Sequence, residues 1–111
     1  MVGKDMATGL KIAACVCGKD GIISQAEEEK MFQLVSNKYS EFSLSDFDLI
    51  LDDFFNSDKQ IEDYLLEIAD SETRNFVFEL SAASASADGL DIRENIALSK
   101  VAVLWGINPN E

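Results

Sequence analysis

The chain has 111 residues, 47% of them hydrophobic, enough to bury the core of one domain without disulfides or a structural metal. It carries 21 acidic residues against 9 basic ones, a net charge of −12, which repels phosphate backbones and anionic lipid heads and argues against direct binding of nucleic acid or insertion into a membrane. Histidine is absent, which removes the commonest general base and the commonest zinc ligand.

The opening Met1-Val2-Gly3-Lys4-Asp5 has no signal-peptide apolar core, and the longest apolar stretch, Leu10 to Cys17, is interrupted by Lys11 and too short to span a bilayer. The expected location is therefore the cytoplasm. Met6, Leu10, Ala13, Ala14 and Cys17 recur at helical spacing and predict a first helix from about Lys4 to Lys19, closed by Gly18 and Gly21. Cys15 and Cys17 lie two apart on it, cannot bridge each other, and are too few for a closed thiolate metal site, so they read as inert buried thiols.

Ser24-Gln25-Ala26-Glu27 has the capping-box pattern and starts a second helix, with Met31, Leu34 and Val35 as its inner stripe. After a loop over 40–45, Leu44, Phe47, Ile50, Leu51, Phe54 and Phe55 recur at threes and fours and predict a third helix. Asn56-Ser57-Asp58 breaks it and caps a fourth, with Ile61, Tyr64, Leu65 and Ile68 inward. A fifth begins near Ser71 and carries Phe76, Leu80, Ala83 and Ala87 on one face. The last is capped by Asp91 with Glu94 in its first turn, continues through Leu98, Val101, Ala102 and Trp105, and stops at Gly106-Ile107 before Asn108-Pro109.

Two stretches of this pattern align. Ala13 to Gly21 and Ser81 to Gly89 are both runs of mostly small residues ending in Asp-Gly, with Asp20 and Asp88 lying 68 positions apart. Each Asp-Gly leads into a newly capped helix. The caps, Ser24 and Asp91, are 67 apart, and at that offset Glu27 matches Glu94, Met31 matches Leu98, Leu34 matches Val101 and Val35 matches Ala102. Small residues allow two helix backbones to approach closely, so the first and fifth helices are expected to pack on each other or on equivalent neighbours, around a middle pair filling the core with Phe47, Phe54, Phe55, Tyr64 and Leu65.

In the motifs Asp20-Gly21-Ile22-Ile23-Ser24-Gln25-Ala26-Glu27 and Ala87-Asp88-Gly89-Leu90-Asp91-Ile92-Arg93-Glu94, the latter running on to Leu104-Trp105-Gly106-Ile107, the chain resembles the TerB family, the all-helical domain associated with tellurite resistance. The likeness extends from the first helix to Gly106. It implies one TerB-like domain over residues 1–111, an all-α bundle of six to seven helices with an internal pseudo-repeat. It also implies a non-catalytic binding or scaffolding role in stress and metal or metalloid responses, with no required cofactor and a weak divalent-cation site, calcium or magnesium, at the two turns. Position by position, the ligands it implies are Asp20 and Glu27 in the first copy and Asp88 and Glu94 in the second. Asp91 joins them from its place in the shorter second loop.

The same acids have a plainer reading, in which Glu27 and Glu94 cap their own helices and Asp20 and Asp88 stabilise turns. Neither loop has the alternating acids and closing glutamate of an EF-hand. Glu27-Glu28-Glu29 suits the positive end of a helix dipole. Asp52, Asp53, Asp58, Glu62, Asp63, Glu67 and Asp70 form either a solvated face or a docking surface for a basic protein. No nucleophile elbow, phosphate-binding glycine loop or metallohydrolase motif is present, so the chain reads as a non-enzyme. The competing function is an acidic protein-interaction or inhibitor domain that binds no metal. A protein partner is expected in either case, and a homodimer is compatible with both.

Overall fold

The small and apolar residues that open the chain form a helix, α1 (Lys4–Cys17), buried on nearly every side. A helix apolar all round belongs in the middle of a fold, and α1 packs against all five other helices. These are α2 (Gln25–Lys38), α3 (Leu44–Phe55), the short α4 (Ile61–Leu65), α5 (Ser71–Ala85) and α6 (Ile92–Trp105). The computed structural model describes residues 4–18, 23–87 and 92–107, and among them every regular element is helical. The radius of gyration, 12.6 Å, is that of a compact body; about 13 Å is usual for 100 residues.

The most extensive interface joins α1 to α5, as their small residues predict. Gly9 and Val77 meet there so closely that a Cβ on Gly9 would lie 2.6 Å from Val77 Cγ2. The buried residues of α5 are Val77, Leu80, Ser81, Ser84 and Ala85; of the expected face only Leu80 is among them, Phe76 and Ala83 being half-buried and Ala87 exposed beyond the helix end. Those 68 positions earlier, Gly9, Ile12, Ala13, Val16 and Cys17, are all buried in α1. Of the outer helices, α2 packs chiefly on α5, and α6 rests on both α5 and α1.

Local chemistry sets the helix ends. Ser24 and Glu27 form the expected capping box on α2, and Ser43 with Asp46 makes another on α3. Asp70 caps α5 by accepting from the Thr73 backbone N–H at 2.9 Å and from its hydroxyl at 2.8 Å. Together these bonds draw the Asp70 carboxyl below its ordinary range. Gly106 ends α6 at φ +69°, its N–H reaching Val103 O at 3.3 Å while the Ile107 N–H reaches Ala102 O at 2.8 Å. That is the paired bonding of a Schellman cap, and Ile107 packs on the core as the motif requires. Trp105 Nε1 donates to Leu65 O at 3.0 Å, and Arg74, whose Nε donates to Ile68 O, lies over the Trp105 ring. These contacts hold α4, α5 and α6 together.

Several expectations need correction. α1 ends at Cys17, with Gly18 in the turn that follows. Leu44 and Phe55 recur with the core residues of α3 but are 60% and 54% exposed, because α3 rests on the body only the edge that carries Phe47, Ile50, Leu51 and Phe54. The N-cap of α4 is Gln60, not Asp58: the Gln60 N–H donates to Asp63 Oδ2 at 2.9 Å. The Asp91 cap of the last helix lies outside the described residues.

The tight crossing sets a sign that can be measured. An alanine in place of a mid-helix glycine ordinarily stabilises by roughly 0.5–1 kcal/mol, but Gly9→Ala has no room and is expected to cost about 1–3 kcal/mol in urea denaturation. Pairing it with Val77→Ala should bring back part of the space. A Gly9→Ala variant more stable than wild type would refute the close crossing. The Ser84 hydroxyl is fully buried with no hydrogen-bond partner among the described residues. Leaving such a group unpaired costs roughly 1–3 kcal/mol, so Ser84→Ala should leave the midpoint unchanged or raise it.

Candidate functional site

Of the five acids proposed as cation ligands, Asp20, Asp88 and Asp91 lie outside the described residues. Glu27 and Glu94 are the third residues of α2 and α6 and are 3% and 5% exposed. Side chains of this type are almost never fully buried unless paired. For Glu27 the pairing is local: its Oε1 accepts the Ser24 backbone N–H at 2.9 Å, and Ser24 Oγ accepts the Glu27 N–H at 3.1 Å. The plainer reading of Glu27 as a cap is therefore what the geometry shows. Among the described residues, no cluster of three or more acidic or cysteine side chains is arranged to hold a metal ion. Cys17 is buried and Cys15 partly so, neither in a disulfide.

The acidic middle of the chain is exposed throughout, and lysines partly neutralise it. Lys11 pairs with Asp53, Lys100 with Glu62 at 3.2 Å and Lys59 with Glu67 at 3.5 Å. The Lys11 ammonium holds the Asp53 carboxyl below its usual range, by hydrogen bonding and then by charge. Lys59, Lys100 and Glu62 also border a hollow of about 320 Å³ beside Cys15 and Phe54.

A second hollow, of about 410 Å³, lies where α2 and α3 diverge. Phe32, Leu44 and Phe47 line it, and Glu28, Glu29 and Asp48 rim it. Its floor is stiffened by an aromatic cluster in which Phe32, Phe42 and Phe47 have ring centroids 5.6–6.2 Å apart. Among the described residues no lysine or arginine forms an ion pair with the three rim acids. Partial burial, and then the nearby Asp48 charge, push the Glu28 carboxyl above its ordinary range. Sequence reasoning placed Phe47 in the core, took Glu28 and Glu29 as dipole partners and passed over Asp48. The available signal was the coincidence of Leu44 and Asp48, one turn apart on α3, with Glu28 and Phe32, one turn apart on α2.

No protein-family model, curated protein or solved structure matches the chain.

The Glu27 geometry separates capping from ligation. Ser24→Ala should cost about 1 kcal/mol in stability without any added cation. Glu27→Gln, which can still accept the Ser24 N–H, should cost less than Glu27→Ala. If Glu27→Ala instead left the metal-free protein as stable as wild type, the carboxylate would not be serving as a cap.

Proposed function

We propose that this chain is a non-catalytic binding or scaffolding module of TerB-like build, made from two copies of one helix–turn–helix unit, α1–α2 and α5–α6. The observation that carries the reading is the contact between Gly9 and Val77, which are 68 positions apart, the same interval that separates Asp20 from Asp88. Where two copies are related by a two-fold axis, residues close to the axis meet their own counterparts, and every other contact occurs in reciprocal pairs. The matching burial along α1 and α5 and the buried third-position glutamates support it further.

In this reading the two Asp-Gly turns hold a weak divalent cation, calcium or magnesium, through Asp20, Glu27, Asp88, Asp91 and Glu94. Hard cations favour such oxygen donors and take six or more of them, so each turn alone falls short and both must contribute. The Ser24 N–H occupies one oxygen of Glu27 and leaves the other for the ion. The link to stress or metalloid response rests on the family resemblance. A second reading, an acidic protein-interaction or inhibitor domain with no metal, is favoured by the capping role of Glu27 and by the acidic rim of the α2–α3 hollow.

Calorimetric titration with calcium, magnesium and zinc tests the cation. The expected result is binding heat and a raised thermal midpoint in the wild type, both lost when Asp20→Asn is combined with Asp88→Asn. Absence of heat and of any midpoint shift with all three ions would remove the cation site and leave the interaction reading.

A further inference from the structure

We propose that the hollow between α2 and α3 is a docking groove for a basic amphipathic helix of a partner protein, which seats an apolar side chain on Phe32, Leu44 and Phe47 and places lysine or arginine against Glu28, Glu29 and Asp48. The inference rests on the binding-module reading and is independent of the cation site.

The groove combines two features. Its floor is apolar: Phe47 is buried, Phe32 is partly buried, and Leu44 stands 60% exposed at the edge. A single exposed leucine is ordinary, but one beside an open aromatic floor leaves apolar area that a partner can cover. Its rim is negative and uncompensated. Asp53 of α3, Glu62 of α4 and Glu67 just after it have lysine partners, whereas Glu28, Glu29 and Asp48, like Asp46, Asp52 and Asp63, have none among the described residues. Glu29 accepts only the neutral Gln25 amide, at 2.9 Å.

Charge complementarity selects the occupant. Glu28 and Asp48 carry like charge on the two sides of the groove, and after partial burial the Asp48 charge is the second cause that pushes the Glu28 carboxyl up. A cation placed between them relieves that repulsion. A second copy of the chain, also at −12, adds to it, and a nucleic acid or anionic membrane does the same. An amphipathic helix supplies both requirements at once, since residues at i, i+3 and i+4 share a face and can present an apolar anchor flanked by basic groups. The open volume, about 410 Å³, suits one large apolar anchor rather than a whole helix, so the helix would lie across the opening.

The test uses a synthetic lysine–leucine helical peptide and a control peptide in which serine replaces every leucine at unchanged charge, both titrated in the presence of a chelator. Backbone amide shifts should cluster over 25–32 and 44–48, and the control peptide should bind more weakly. Leu44→Ser, at an exposed position, should keep the fold by circular dichroism and weaken the peptide about tenfold, the loss of one modest apolar contact. Glu28→Gln with Asp48→Asn should weaken binding and flatten its salt dependence. Shifts centred on Asp53, Glu62 and Glu67, or a Leu44→Ser variant that binds as tightly as wild type, would overturn the proposal. So would sedimentation showing that the wild type self-associates through Leu44, which would give the groove to a second copy. With the cations chelated, failure of the cation site cannot produce any of these outcomes.

Discussion

The architecture depends on how closely α1 and α5 approach. At Gly9 the distance to Val77 leaves no space for even one added carbon, and small residues such as Ala13, Ser81 and Ala85 are fully buried farther along the two helices. Close backbone approach lets many side-chain contacts form along the pair, each weak alone and substantial together. Because α1 also touches α2, α3, α4 and α6, any shift of the α1–α5 crossing would move every other packing surface. The core is thus organised around one helix rather than shared equally among six. Bonds remote from the crossing, such as the Trp105 indole to Leu65 O, then fix the ends of elements already positioned by α1.

A second constraint is the charge. A net −12 on a small body works against the folded state through self-repulsion, and the chain accommodates its acids in distinct ways. Some sit at helix starts, where the dipole and orphan N–H groups favour them: Glu27, Asp46, Asp63 and Asp70 each accept a backbone N–H near the start of a helix. Others face lysines or open solvent. At the rim of the α2–α3 hollow, Glu28 sits in the first turn of α2, partly buried and near the Asp48 charge, while Glu29 and Asp48 are exposed.

Much of the fold was legible because local rules and packing agreed. The Ser24–Glu27 box, the Gly106-Ile107 stop and the small-residue runs of the first and fifth helices are short-range signals that the structure carries, although the side of the fifth helix that turns inward is not the one its spacing suggested. The middle of the chain was harder to read. Leu44 and Phe55 obey helical periodicity with Phe47 and Leu51, yet spacing cannot tell how wide a face the body covers, and α3 is held by one edge alone. Asp58 and Gln60 compete to start α4, and the choice follows from the reach of Asp63. The candidate site was legible only as residue types. That Glu27 spends an oxygen on its own helix follows from the sequence pattern; that Asp48 faces Glu28 depends on the angle between two helices, which no local rule supplies.

The account stands on α1 and α5 touching at residues 9 and 77, and a covalent link reports that contact directly. A Cβ at position 9 would lie 3.7 Å from Val77 Cβ, inside the range of about 3.5–4.5 Å that disulfides require. In a background carrying Cys15→Ala and Cys17→Ala, the pair Gly9→Cys and Val77→Cys should close an intramolecular disulfide under mild oxidation, seen as faster migration on a non-reducing gel and a higher thermal midpoint than the reduced form. Two thiols that stay reactive in the folded, oxidised sample, or that link only between molecules, would contradict the crossing and the two-copy reading built on it.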